Sequence, residues 1–276
     1  MLYANMHKET QRVGLAGFGV IGKAVGAALD DGLEGFALEA VASGDGDKAR
    51  RALAQFRRPV EVVDPDSLAA RCDIVVEAAP TAAFLSIARP VLLAGKVLVT
   101  VSAAALIEAM DVVDLARTHG GRIILATGAL LGFDAVRAAA KGNLRSVSMI
   151  TRKPPRSLAG APYLEARGID VLALKEPTRV FDGSAREGAA GFPANVNVAA
   201  ALALAGAGPD LTRLEIWADP ALQRNTHTIR VEAEEVRFEM TIENVPTPEK
   251  PGTGRVTALS VIAALESLDS PLRVGS

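Results

Sequence analysis

Short apolar runs and amphipathic stretches alternate along the first half of the chain. Arg12–Ala16 (RVGLA) predicts a buried strand and Ile21–Leu29 (IGKAVGAAL) a helix; Leu38–Ala42 (LEAVA) predicts a second strand and Asp47–Gln55 (DKARRALAQ) a second helix. The series continues with a short strand at Val60–Val63, a brief helix at Asp66–Arg71 and a strand at Asp73–Ala78. A helix near Ala82–Ala94, a strand at Val97–Val101, a helix near Met110–Thr118 and a strand at Arg122–Ala126 close it. Helical spacing marks one set and continuous aliphatic runs the other. Strands that alternate with helices pair in parallel through right-handed crossovers, so residues 1–127 predict a doubly wound sheet.

The texture changes after Gly128. Ser146–Arg152 (SVSMITR) reads as a strand and is followed by the breaker KPPRSLAGAP. Asp170–Ala173, Arg213–Ala218, Thr226–Ala233 and Glu235–Glu243 read as strands of a more open sheet, with one alanine-rich helix at Val196–Gly206. The expected class is therefore α/β: a Rossmann-type doubly wound parallel sheet, with a second α+β domain of mixed open sheet. The last helix, Val256–Leu268, is expected to return to the first domain. The predicted domains are 1–127 plus 253–276, and 128–252.

Three glycines, Gly17, Gly19 and Gly22, stand between the first strand and the first helix (GFGVIG). Glycine inside a regular element costs roughly 0.5–1 kcal/mol relative to alanine, so a compensating role is expected. In a dinucleotide-binding βα turn the first glycine permits the tight turn and the second lets the main chain approach a pyrophosphate. The third lets the helix pack close to its strand. The amides opening the helix, at Val20, Ile21 and Gly22, then face the phosphates. An acidic residue at the end of the second strand would bind the adenosine ribose; here Ser43 and Gly44 occupy that place, Asp45 comes slightly late, and Arg50 and Arg51 follow in the helix. Both NAD and NADP stay open as cofactors. EAAPTAAF (Glu77–Phe84, including Ala79), TVSAAAL (Thr100–Leu106) and ATGALLGFDAV (Ala126–Val136) are small-residue turns at strand ends, the edge where ligands of such sheets bind.

Composition narrows the field. Thirty basic against thirty-two acidic side chains leave a net charge of −2, which gives no electrostatic case for nucleic acid. No apolar run is long enough to span a membrane and the start lacks an apolar leader, so a cytoplasmic protein is expected. One cysteine, Cys72, and three scattered histidines make no metal-ligand cluster, so no metal is expected.

Taken together, GFGVIG, VVEAAP, TGALLGFDAV, MITRKPP, FPANVNVAAALALAG, DPALQRNTHTIRVEA and NVPTPEKPGTGRVTALSVIAAL resemble the L-aspartate dehydrogenases, a group related to homoserine dehydrogenases and dihydrodipicolinate reductases. The family's tail reads close to N-P-x-x-x-N-P-K-T-S; this chain departs from it at Val245, Gly252 and Gly254. The resemblance implies reversible NAD(P)-dependent oxidative deamination of L-aspartate to iminosuccinate, which hydrolyses to oxaloacetate and ammonia and would feed NAD biosynthesis or aspartate catabolism. It implies His227 as the catalytic histidine, Ala129 beside the nicotinamide, and a cofactor-contacting asparagine within Asn195–Asn197, with Asn197 favoured over a plain helix cap. It also implies a homodimer.

The chemistry suits these residues. Histidine has the side-chain pKa best placed to relay a proton near neutrality. His7 and His119 lie in polar or helix-ending surroundings, whereas His227 opens an alternating strand just after Asn225. A substrate with two carboxylates calls for cations, and Arg152, Lys153 and Arg224 are candidates, with Asn195 and Asn225 as polar contacts. Two alternatives remain at this stage: a related reductase of a semialdehyde or cyclic imine, and a non-catalytic dinucleotide sensor.

Overall fold

The computed structural model describes residues 9–193, 196–250 and 252–275. Contacts divide the chain into two units. The first runs up to Thr100 and adds Asp111–Ile124 and Ile262–Pro271; the second comprises Val101–Met110, Leu125–Val261 and the stretch from Leu272.

The first unit is built on β1 (Gln11–Ala16), α1 (Val20–Asp31), β2 (Phe36–Ala42), α2 (Gly46–Leu53), β3 (Glu61–Val62), α3 (Pro65–Arg71), β4 (Ile74–Glu77), α4 (Phe84–Leu93) and β5 (Val97–Thr100). Of the next three elements, α5 (Ala103–Glu108) belongs to the second unit; α6 (Asp111–His119) and β6 (Arg122–Leu125) complete the sheet layer. The strand order is β3-β2-β1-β4-β5-β6, and β1 pairs in parallel with both β2 and β4. That is the doubly wound order. Continuous burial explains the unbroken apolar runs: Val13, Leu15, Ala16, Ile74, Val75, Val76, Leu98 and Val99 are inaccessible or nearly so. Local chemistry starts the helices. Asp64 accepts from the Ser67 amide at 2.8 Å ahead of Pro65, and Asp45 accepts from the Lys48 amide at 3.0 Å.

The second unit contains α7 (Phe133–Ala139), β7 (Leu144–Lys153), α8 (Pro162–Glu165), β8 (Thr178–Ser184), α9 (Ala185–Gly191), α10 (Asn197–Ala205), β9 (Arg213–Ala218), β10 (Thr226–Ala233) and β11 (Arg237–Glu243). Its mixed sheet has the order β11-β10-β7-β9-β8, with β7 and β9 parallel and the β11–β10, β10–β7 and β9–β8 pairs antiparallel. Alternation sends Val147, Met149, Ile229, Val231, Leu214 and Ile216 into one core with the alanines of α10. The helix α11 (Val256–Asp269) starts in the second unit and ends in the first.

One expected strand is not one. Asp170–Ala173 alternates apolar and polar positions, yet the Asp170 carboxylate accepts from the Leu172 amide at 2.9 Å and winds Val171–Ala173 into a 3-10 turn. The neighbouring strand is β8, further along.

Candidate functional site

The glycine turn has the geometry that its spacing implied. Gly17 has φ +97°, and a Cβ there would lie 2.6 Å from the Ala78 carbonyl, so only glycine fits. A Cβ on Gly22 would overlap the Gly17 carbonyl oxygen, which brings α1 hard against the turn. Gly19 differs: it has φ −82°, is exposed, and a Cβ there would meet no atom within 4 Å. The space in front of Gly19 is therefore an open cradle. The amides of Val20, Ile21 and Gly22 open α1, which carries no acidic residue in its first turn. A diphosphate fits this donor set.

Glu77 organises the neighbouring strand end. It is fully buried; one carboxylate oxygen accepts from Thr100 Oγ1 at 2.5 Å and the other from the Ala79 amide at 2.9 Å. That fixes the Ala78–Ala79 main chain against which Gly17 rests. The signal was a lone carboxylate ending an apolar strand.

The other candidates belong to the second unit. His227 is buried, lies directly opposite Thr151 in the β10–β7 ladder, and its Nδ1 shares a hydrogen bond with Thr151 Oγ1 at 3.1 Å. Lys153, two residues along β7, is on the same face and is also buried. Burial lowers the Lys153 ammonium to a pKa of about 8. Burial, and then the charge of Lys153, lower the His227 imidazole to about 3. The ring is neutral at rest.

Arg152 goes the other way. Strand alternation turns it to the opposite face, where its guanidinium sits 4.6 Å from the Trp217 ring centroid and 3.8 Å from the Asp219 carboxylate. The structure thus brings Lys153 and His227 together and parts Arg152 from them. Arg224, in the turn before β10, is exposed and lies 3.9 Å from Glu243. Asn195 falls outside the described residues. Asn197 does not cap its own helix; its Oδ1 accepts from the Ala104 amide at 3.0 Å, which ties the start of α10 to the start of α5.

A further residue gathers these segments. Asn244, buried after β11, donates its amide to the Asn225 carbonyl at 2.9 Å and its side-chain Nδ2 to the Ala129 carbonyl at 3.0 Å. The segment before His227 and the turn at Ala129 are thereby joined. A Cβ on Gly254 would lie 2.9 Å from Asn244 Oδ1, so glycine at that position leaves room for the amide.

Comparison with known proteins adds three kinds of likeness. The family model described as "Homoserine dehydrogenase, NAD binding domain" matches residues 17–126, and "Aspartate dehydrogenase, C-terminal" matches residues 134–268. The L-aspartate dehydrogenase of Bradyrhizobium diazoefficiens is 52% identical over 96% of this chain and 94% of its own length. L-aspartate dehydrogenase 3 of Bordetella bronchiseptica is 47% identical over 98% and 99%. Among solved structures, the aspartate dehydrogenase of Thermotoga maritima shares the fold with a TM-score of 0.71, at 24% identity over 96% of this chain and 99% of that one.

Proposed function

The chain belongs to the L-aspartate dehydrogenase family, and from that premise we propose that it catalyses reversible NAD(P)-dependent oxidative deamination of L-aspartate to iminosuccinate, hydrolysed to oxaloacetate and ammonia. The glycine cradle, with Val20, Ile21, Gly22, Ser43 and Ala79, would hold the dinucleotide, and Ala129 and Asn197 would contact its nicotinamide end. When bound, the nicotinamide supplies the acceptor for the hydride leaving the substrate Cα.

The remaining work falls to side chains of the second unit. An ammonium that becomes an imine must shed a proton, and a neutral imidazole can take it. Thr151 occupies Nδ1 of His227, so Nε2 is the nitrogen left for substrate. An imidazole with so low a pKa is a weak acceptor on its own. A dicarboxylate bound beside it adds negative charge, stabilises the imidazolium and raises that pKa in the complex. Lys153 provides the cation for one carboxylate, and Arg224 and Asn225 are proposed contacts of the other. Arg152, on the far face, is not part of this site in our reading.

The observation that carries the proposal is the shared buried face of Lys153, Thr151 and His227. Initial rates of NAD(P)+ reduction with L-aspartate, homoserine, glutamate and malate test it. L-aspartate is expected to exceed the others at least about tenfold, the discrimination that ~1.4 kcal/mol of transition-state binding gives; malate turned over as fast as aspartate would overturn it.

The reading includes a homodimer through the outer face of the mixed sheet. There Trp217 and Ile150 are half-buried amid pairs such as Arg230–Glu239 and Arg213–Asp182, a pattern of alternating charge that a second copy can match.

A further inference from the structure

In dinucleotide-binding sheets, an acidic side chain at the end of the second strand holds the adenosine ribose and repels a 2′-phosphate; a cation there accepts one. In this chain the glycine turn and the end of β2 are joined, because the Gly17 amide donates to the Ala42 carbonyl at 2.8 Å. The residues delivered next to the cradle are Ser43, Gly44 and Asp45. Asp45 is the one carboxylate of that stretch, and it is engaged elsewhere: it caps α2, accepting from the Lys48 amide at 3.0 Å.

The other residues that follow β2 are different in character. Ser43 is half-buried and its hydroxyl donates to the Asp45 carbonyl at 3.3 Å, a long bond that a stronger acceptor can displace. A Cβ on Gly44 would meet nothing within 4 Å, so the main chain there is open to a ligand. Arg50 folds back along α2 until its guanidinium nitrogens lie 3.5 Å from the Cβ position of Gly46. Among the described residues it pairs with Asp47, 2.7 Å away, and that pair is largely exposed, with side-chain accessibilities of 62% and 80%. Water screens such a pair, so it holds the arginine only weakly. A dianionic phosphate offers the same fork a bidentate partner of higher charge.

We propose that Ser43, the Gly44 main chain and Arg50 form a subsite for the 2′-phosphate of the adenosine ribose, so that this protein prefers NADP to NAD. The proposal rests on the dinucleotide reading of the glycine turn and is independent of the identity of the amino-acid substrate.

Calorimetric titration of the intact protein with 5′-AMP and with adenosine 2′,5′-bisphosphate, at one ionic strength, tests it without turnover. The bisphosphate is expected to bind at least about tenfold more tightly. Arg50→Ala should erase that difference, and Ser43→Asp should reverse it. Equal affinities in the natural protein, or a preference that survives Arg50→Ala, would overturn the subsite while leaving the dinucleotide reading standing. Failure of both nucleotides to bind would remove the two together.

Discussion

The buried imidazole of His227 bears on stability as well as on the proposed proton transfer. The ordinary histidine pKa of 6.5 applies to the unfolded chain, and burial with a neighbouring ammonium takes folded His227 to about 3. Between those values the unfolded state binds the extra proton, so the stability present above pH 6.5 is lost as pH falls toward about 3. Urea midpoints measured across that window should decline in the natural protein and decline less in His227→Gln; identical profiles would contradict the burial of an uncharged ring. In turnover, His227→Ala should lower kcat by roughly 10²–10⁴, and near-normal rates would remove it from the mechanism. Lys153 predicts a pH effect of opposite kind. In the proposed site its charged form would hold a substrate carboxylate, and that form is lost as pH rises through about 8. The inhibition constant of succinate, which has both carboxylates and no amine, should rise above that pH and stay flat below it. In the sequence the N-T-H run points to His227, while Arg152 and Lys153 stand as equal candidates at a strand end before the Pro-Pro turn. Thr151 was not named, although strand alternation puts it on Lys153's face and turns Arg152 away.

At the scale of elements, the two halves of the glycine motif separate binding from folding. Gly19 has a φ that any residue adopts and open space before it, so Gly19→Ala should change stability by about 1 kcal/mol or less. It should nevertheless weaken dinucleotide binding by a factor of about 10 or more, since a methyl group fills the cradle. Gly22→Ala forces α1 away from the Gly17 carbonyl and should destabilise the fold by about 1–3 kcal/mol. Normal dinucleotide affinity in Gly19→Ala would contradict a phosphate in the cradle. Asn244 makes a second test. Replacing it by alanine leaves the Ala129 carbonyl without its donor and should cost about 1–3 kcal/mol in urea unfolding, together with kcat. An unaltered unfolding curve would show that the bond holds nothing in place. That residue was invisible to local pattern because its partner lies 115 positions away. The same limit explains β8. TRVFDGS shows no strand alternation because its buried residues, Val180 and Phe181, are adjacent across a register shift, and Arg213 meets Asp182 only once the β8–β9 pair forms. Conversely, Asp170–Ala173 looked like a strand only because the Asp170 side-chain bond to Leu172 cannot be seen in a hydropathy pattern.

For the molecule as a whole, the candidate residues fall in two units: the open glycine cradle and the Ser43–Arg50 turn in the first, and the Lys153–Thr151–His227 face in the second. The doubly wound order was readable because each buried parallel strand is a continuous aliphatic run. The mixed sheet was readable only in part, since its edge strand β8 buries two adjacent apolar residues, Val180 and Phe181, at a register shift instead of alternating. The helix α5 was hidden by sequence position: it follows β5, yet it is held by the bond from Ala104 to Asn197, 93 residues on. Hydride transfer from Cα of L-aspartate is measured with L-aspartate deuterated at Cα. Each reduced dinucleotide formed should carry one deuterium at the nicotinamide; reduced dinucleotide free of deuterium, or none formed at all, would rule that transfer out.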